Sequence, residues 1–325
     1  MKAVLCKQLG PPESLVFEEV PSPRAGKGQV VVSVKAAGVN FPDTLIIQGK
    51  YQLKPELPFS PGSECAGIVK ETGEGVAHLK PGDHVIAFVS HGGYAEEVLA
   101  RASECVPIPK QLDFKVAAGF TLTYGTSHHA LKDRAGLKPG ETLLVLGAAG
   151  GVGSSAIELG KLMGARVIAC ASSAEKLEAC KKLGADELIN YETEDLRERI
   201  KQLTGDKGVD VVYDAVGGKY TEPALRGMAW KGRYLVIGFA AGDIPKIPLN
   251  LPLLKGFSIV GVFWGAFSRK EPQANAANMA ELLGWLVAGK LKPLVSVAYP
   301  LAQAATALND LLQRKVTGKV VLVTN

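Results

Sequence analysis

Apolar residues follow two rhythms along the chain. Between about residues 122 and 265, short unbroken apolar runs alternate with segments in which apolar positions recur every three or four residues. The runs are Leu143–Leu146, Ala165–Ala171, Leu188-Ile189, Val209–Tyr213 and Leu235–Ile237. Apart from Arg166 and Asp210 near the start of two of them, these runs are apolar throughout, which suits parallel strands covered on both faces. Val152, Ala156, Leu159, Leu162 and Met163 form a helical stripe directly after the first run. Strand and helix patterns in alternation predict a doubly wound α/β domain. The first 120 residues differ. Val30–Lys35 alternates apolar and polar, and Cys65–Lys70 and His84–Val89 are two more short strands, with Pro81-Gly82-Asp83 as a turn. This pattern predicts a compact β-barrel-like domain. Residues 115–135 read as helix. After Gly238 come a proline-spaced loop from Ile244 to Pro252, an edge strand in Phe257–Phe263 and a helix over about 272–289. Short strands in 291–300 and 318–323 then return to the first domain. An unpaired edge at Phe257–Phe263 would let two sheets join in a dimer.

The strand–turn–helix at 142–160 carries the densest chemistry. Its turn is Gly147-Ala148-Ala149-Gly150-Gly151-Val152-Gly153. Gly150 lets a pyrophosphate approach the backbone, Gly153 lets the helix lie close to the strand, and the free N–H groups of the helix start face the phosphates. In the usual G-x-G-x-x-G pattern the first glycine would fall on Ala148, so the fingerprint is incomplete and a glycine-rich turn of another α/β unit competes with it. The end of the second strand bears on the cofactor. An NAD-selective site has a carboxylate there, whereas this chain has Ser172-Ser173-Ala174-Glu175-Lys176. Two hydroxyls and a lysine suit a ribose 2′-phosphate, which points to NADPH. The competing reading makes Ser172 an N-cap and Lys176 a solvated helix residue.

Composition narrows the class. The 325 residues suffice for two domains, and the 47% hydrophobic and 21% charged fractions are those of a folded protein. A net charge of +5 is dispersed, with no basic stripe for nucleic acid. No apolar run reaches the length of a membrane span, and the start, Met1–Lys7, turns polar too soon for a signal peptide. Five cysteines at long spacings, with no C-x-x-C, argue against a disulfide framework or a cysteine zinc knot and for reduced thiols in the cytoplasm.

Several segments taken together resemble one family. They are Gly38-Val-Asn40-Phe-Pro-Asp43, Pro61-Gly-Ser63-Glu64, Gly82-Asp-His-Val85, Leu122-Thr-Tyr-Gly-Thr126, Ala148–Gly153, Asp210–Gly217 and Thr317-Gly-Lys319. In this order, over nearly the whole chain, they resemble the medium-chain dehydrogenase/reductase superfamily, and within it the zinc-free NADPH:quinone oxidoreductases, the zeta-crystallin-like group. The resemblance implies a GroES-like β-barrel catalytic domain from residues 1–121 and 266–325 around a Rossmann domain from 122–265, with the cofactor in the cleft between them. It also implies a homodimer, or a tetramer, built on the Rossmann sheets. Zinc-bearing relatives have Cys, His and Cys where this chain has Asn40, Ser63 and Ala118, so no metal is expected.

The resemblance further implies the site residues. Asn40, Asp43 and Tyr51 would lie beside the nicotinamide, with Asn40 and Tyr51 as hydrogen-bond donors to an acceptor carbonyl and Asp43 fixing the surrounding shell. An N-cap pair at Asn40 and Asp43, and a half-buried loop aromatic at Tyr51, are the competing readings. Thr126 would lie near the nicotinamide ribose, and Gly150, Gly151 and Val152 at the pyrophosphate. Ser172, Lys176, Tyr191 and Arg314 would meet the 2′-phosphate. Phe239 would line the adenine or nicotinamide side, and Phe263 or Trp264 would flank the nicotinamide amide. Tyr191 as a packing aromatic and Arg314 as a solvated residue compete. The expected activity is hydride transfer from NADPH to a quinone. An enoyl reductase of α,β-unsaturated ketones or thioesters is the near rival, and a non-catalytic NADPH-binding, crystallin-like or RNA-binding protein is a third reading. His128-His129 reads as the polar face of a helix.

Overall fold

The computed structural model describes residues 1–324. It consists of two compact units, Met1–Leu122 with Pro293–Asn325, and Thr123–Lys292. The second unit is a six-stranded parallel sheet. In spatial order its strands are Glu187–Asn190, Arg166–Ala171, Thr142–Leu146, Val209–Asp214, Met228–Val236 and Ser258–Gly261. Leu143 to Leu146, Val167 to Cys170, and Val211 to Tyr213 are all fully buried, as unbroken apolar runs require. Successive connections run one way from Thr142–Leu146 and then reverse, so the strand order switches beside this strand. Open α/β sheets bind ligands at the carboxyl ends of strands at such a point. The expected strand in Phe257–Phe263 forms over Ser258–Gly261, at the sheet edge with one strand neighbour. The strand expected at Leu235–Ile237 begins earlier, at Met228. Its first half, Met228-Ala-Trp-Lys-Gly232, is masked in the sequence by Lys231, whose φ is +61°, and by the glycine after it.

The second boundary between units lies at Lys292/Pro293 rather than near residue 265. The helices Trp264–Lys270 and Pro272–Val287 are held to the helical segment Thr121–Arg134. His128 Nε2 lies 2.8 Å from Glu281 Oε2, and Lys132 Nζ donates to the same oxygen at 2.5 Å. His129 Nδ1 meets Asp133 Oδ2 at 2.7 Å, Asn278 Nδ2 donates to that oxygen at 2.8 Å, and the His129 ring stacks on Phe267 with centroids 3.9 Å apart. The polar face expected of the two histidines is therefore a docking face. From His129 to Arg134 the helix widens to a π turn.

The first unit is built on a seven-stranded sheet. Its long central strand, Gln29–Val39, pairs antiparallel with Glu64–Thr72, Glu97–Arg101 and the C-terminal strand Lys319–Val323. The last pairing brings the end of the chain back beside its beginning. Val30, Val32, Val34, Val39, Cys65, Val85, Val320 and Leu322 contribute to its core. All five cysteines are buried free thiols. No helix among the described residues is long and apolar enough to cross a membrane.

Candidate functional site

The glycine-rich turn is built from two close approaches. Gly147 ends the strand at φ +69°, a conformation that glycine adopts without steric cost. Gly147 therefore supplies the tight turn, which explains why the buried Ala148 is tolerated at the first fingerprint position. A Cβ at residue 153 would lie 2.2 Å from Gly147 O and 2.7 Å from Ala148 Cα, so only glycine lets the helix Gly151–Leu162 sit this close to the strand. At Gly150, the N-cap, a Cβ would meet only Gly147 O, at 3.4 Å, so the backbone there is not closely covered. A buried hydroxyl cluster beneath fixes the first turn. Ser127 Oγ donates to Val152 O at 3.0 Å and lies 2.8 Å from both Ser155 Oγ and Tyr213 OH. The sequence reading missed this cluster, because three hydroxyls from distant segments give no local signal. Thr126, the neighbour of Ser127, is half-buried.

Ser172, Lys176 and Tyr191 come together at the carboxyl ends of two adjacent strands. Ser173, not Ser172, caps the helix Ala174–Lys182, accepting from Lys176 N at 3.3 Å. Ser172 Oγ is left to accept from Lys176 Nζ at 3.4 Å. Glu175 is exposed. Tyr191 follows the neighbouring strand, donates its N–H to Ala171 O at 3.2 Å, and packs on Tyr220 with centroids 4.3 Å apart. The residues thus fit a phosphate monoester: hydroxyls, one ammonium, and no carboxylate at the strand end.

The remaining cofactor candidates are placed differently. Phe239 lies beside Gly217, whose φ is +69° and where a Cβ would come 3.0 Å from the Phe239 ring. The loop after Val209–Asp214 is held by Asp214 Oδ1, which accepts from Val216 N and Gly217 N at 2.8 Å each. Trp264 is buried against Gly125 and donates Nε1–H to Asn275 Oδ1 at 3.0 Å. Of the two aromatics expected to flank the nicotinamide amide, Trp264 is thus committed to packing and Phe263 is exposed. Arg314 is exposed just past the helix Ala304–Leu312, at φ +55°, with its N–H on Leu311 O at 3.1 Å. This is a helix-terminating conformation usually taken by glycine.

In the first unit, Asn40 and Asp43 sit at the start of the short helix Phe41–Ile46. Asp43 Oδ2 accepts Asn40 N–H at 2.8 Å and the Tyr94 hydroxyl at 2.9 Å. The Asn40 side chain turns the other way. Its Nδ2 donates to Glu64 Oε1 at 2.8 Å and lies 3.5 Å from Gly38 O, while its Oδ1 accepts from Lys319 Nζ. In this structure the carboxamide is engaged by Glu64 and Lys319. Lys319 Nζ also donates to Glu64 Oε1 at 2.6 Å, and Glu64 Oε2 accepts Leu122 N–H at 2.8 Å. Asn40, Asp43, Glu64 and Lys319 are each at least nine-tenths buried. Burial pushes the Asp43 carboxyl up to about 7, against the opposing pull of the Asn40 N–H, Tyr94 and Lys319. Burial and the neighbouring Asp43 carboxylate push the Tyr94 phenol well above its ordinary range. Tyr51 is half-buried and packs against the same core. From sequence, Glu64 and Lys319 stood out only within segments of the family resemblance, with no site role, and Tyr94 did not stand out at all. The visible signal was a charged residue opening an apolar run, at Glu64 before Cys65–Val69 and at Lys319 before Val320–Val323.

This arrangement does not fit zinc. The Asn40 oxygen is held by the Lys319 ammonium, whose positive charge opposes a cation, and Ala118 has no side-chain donor. No group of three or more His, Cys, Asp or Glu able to hold a metal ion occurs among the described residues.

Comparison with known proteins accords with both units. Residues 26–110 match the alcohol dehydrogenase GroES-like domain, and residues 151–282 match the zinc-binding dehydrogenase family. The chain is 41% identical over 99% of its length to a quinone oxidoreductase-like protein 2 homolog of Nematostella vectensis, covering 89% of that protein. Its fold matches the NADPH complex of Escherichia coli quinone oxidoreductase at a TM-score of 0.93, with 32% identity and coverage of 99% and 100% of the two chains. The CurK enoyl reductase is similar at a TM-score of 0.89 and 28% identity, with coverage of 100% and 99%. The chain belongs to the quinone oxidoreductase group of the medium-chain dehydrogenase/reductase family.

Proposed function

We propose that this protein is an NADPH-dependent, zinc-independent oxidoreductase whose acceptor is a quinone. The observation that carries the cofactor choice is the Ser172–Lys176 pair at the end of the second Rossmann strand, where a carboxylate would select NAD. The likeness to quinone oxidoreductases over the full chain supports the acceptor. When bound, NADPH supplies the hydride. Gly150, Gly151 and Val152 would hold the pyrophosphate, with Thr126 near the nicotinamide ribose. Ser172, Lys176, Tyr191 and Arg314 would hold the 2′-phosphate. Phe239 would line the adenine or nicotinamide side, and Phe263 or Trp264 would flank the nicotinamide amide. Tyr51 donates its O–H to the acceptor carbonyl oxygen, the Asp43 carboxyl holds the turn through the Asn40 N–H, and Asn40 is itself held from behind by Glu64 and Lys319. A quinone carbonyl accepts electrons readily, so hydrogen bonding and orientation are sufficient polarisation. We further propose that the active form is a homodimer joined at the Ser258–Gly261 sheet edge.

The likeness to an enoyl reductase supports a second reading, hydride delivery to an α,β-unsaturated carbonyl. Steady-state NADPH oxidation with 1,4-benzoquinone, 9,10-phenanthrenequinone and crotonyl-CoA separates the two. Turnover of the quinones with NADPH and not NADH is expected. Turnover of crotonyl-CoA alone transfers the assignment to the enoyl reductases, and tight NADPH binding with no turnover of any acceptor leaves a binding role.

A further inference from the structure

The first unit buries an ion pair that the proposed reaction does not use directly. Lys319 comes from the last strand and Glu64 from the strand Glu64–Thr72, and neither is in contact with bulk solvent. Their 2.6 Å contact is enclosed by small residues. A Cβ on Gly38 would lie 2.4 Å from both Glu64 Oε1 and Ala118 O, and one on Gly119 would lie 2.6 Å from Lys319 Cγ. The space is therefore shaped around these two side chains. A buried pair is weak evidence of stabilisation, because desolvation offsets much of its attraction. What the pair does have is a fixed target. Glu64 Oε1 accepts the Asn40 amide, Lys319 Nζ donates to the Asn40 oxygen, and the Asn40 backbone N–H in turn holds Asp43.

We propose that Lys319 and Glu64 are positioning residues, which lock the Asn40 carboxamide and fix the electrostatic field in which the Asp43–Tyr94 pair sits. The inference rests on the reading above that the Asn40–Asp43 turn forms the acceptor side of the site. The groups acting on the Asp43 carboxyl are the Asn40 N–H and the Tyr94 hydroxyl, which bond to it, and the Lys319 and Glu64 charges. Lys319 favours the ionised carboxylate, and Glu64 opposes it. The two members of the pair therefore act in opposite directions. A role confined to packing has no such sign.

The test follows the Asp43 carboxyl directly in the full chain labelled with carbon-13 aspartate, with its NMR resonance assigned by Asp43→Asn. Lys319→Met should raise the titration midpoint by about one pH unit, and Glu64→Gln should lower it by a similar amount. The double variant removes both charges at nearly constant volume and should return the midpoint towards wild type. Should Lys319→Met fail to fold, the comparison of Glu64→Gln with the double variant preserves the sign. Midpoints that move in the same direction, or do not move, overturn the proposal. The pH profile of kcat for NADPH with 1,4-benzoquinone is recorded on the same variants. A profile that follows the NMR midpoints supports the positioning role. Opposite midpoint shifts with an unmoved profile leave the pair's action on Asp43 standing and remove this turn from the reaction.

Discussion

At the end of the second Rossmann strand the proposed cofactor choice rests on a single charge. Lys176 is half-buried and rests on Ser172, so its ammonium is oriented before any phosphate arrives. Lys176→Ala should weaken NADPH by about 1–2 kcal/mol and leave NADH nearly unchanged, as one charge-assisted contact implies. Calorimetric titration of both nucleotides checks this, and equal losses would contradict the assignment. Asp43 has a different consequence. Its carboxyl is pushed from an ordinary 3.8 up to about 7, chiefly by burial. Because the folded value is the higher one, the fold favours neutral Asp43. That contribution is fully present below about pH 4 and is lost as pH rises through 7. Asp43→Asn keeps an oxygen to accept from Tyr94 and the Asn40 N–H without the charge. The stability of wild type relative to this variant should fall between pH 4 and pH 8, on the order of 4 kcal/mol. Urea unfolding across that range is the measurement, and a flat difference would place the carboxyl near its ordinary value. Neither the raised Asp43 carboxyl nor the engaged Asn40 carboxamide was legible in sequence. Gly-Val-Asn-Phe-Pro-Asp announces a turn and a helix start, but their partners Tyr94, Glu64 and Lys319 lie up to 279 positions away.

At the scale of elements, glycines separate the turn that does chemistry from helices that only pack. Gly153→Ala places a methyl group 2.2 Å from a backbone oxygen that cannot move without dismantling the strand–turn–helix. It should lower the melting temperature and weaken NADPH binding by at least about tenfold, by analogy with the cost of overpacking a fixed backbone. Gly284 offers the contrast. It lies exposed in the helix Pro272–Val287, and a Cβ there meets nothing within 4 Å. Gly284→Ala should stabilise the protein by roughly 0.5–1 kcal/mol through helix propensity alone. Thermal melts of the two variants with and without NADPH check both outcomes. Elements were legible where burial is uniform, as in Leu143–Leu146 and Val167–Cys170, because a strand covered on both faces must be apolar throughout. The strand Met228–Val236 was legible only in its last residues. Its partner Val209–Asp214 tolerates a register irregularity there, and the pairing rather than the local pattern extends the strand.

For the whole molecule, the open question of assembly lies on the second unit. The edge strand Ser258–Gly261 has one paired side, and Ile259 on it is exposed. Leu253 is 79% exposed and Trp230 68% exposed, with the Trp230 ring lying against Gly256. Exposed apolar side chains close in sequence to an edge strand fit a self-complementary contact between two copies. Wild type should sediment as a dimer, and Ile259→Lys with Leu253→Asp should sediment as a monomer with an unchanged circular dichroism spectrum. A variant that stays dimeric would place the interface elsewhere.

The amino-acid sequence alone determined the two-part plan, the doubly wound middle, and the glycine-rich turn between its first strand and helix. Each of these is written in short-range periodicity or in residues within about one strand–turn–helix unit, where local geometry follows from local sequence. Only the tertiary structure decided that residues 266–292 stay with the second unit. It alone showed that Gly147 takes over from the missing first glycine, that Trp264 is packed, and that Lys319 reaches Asn40 and Glu64. Those outcomes depend on which groups remain unpaired once distant segments are buried together. A buried polar group finds its partner by proximity in space, which short-range pattern does not encode.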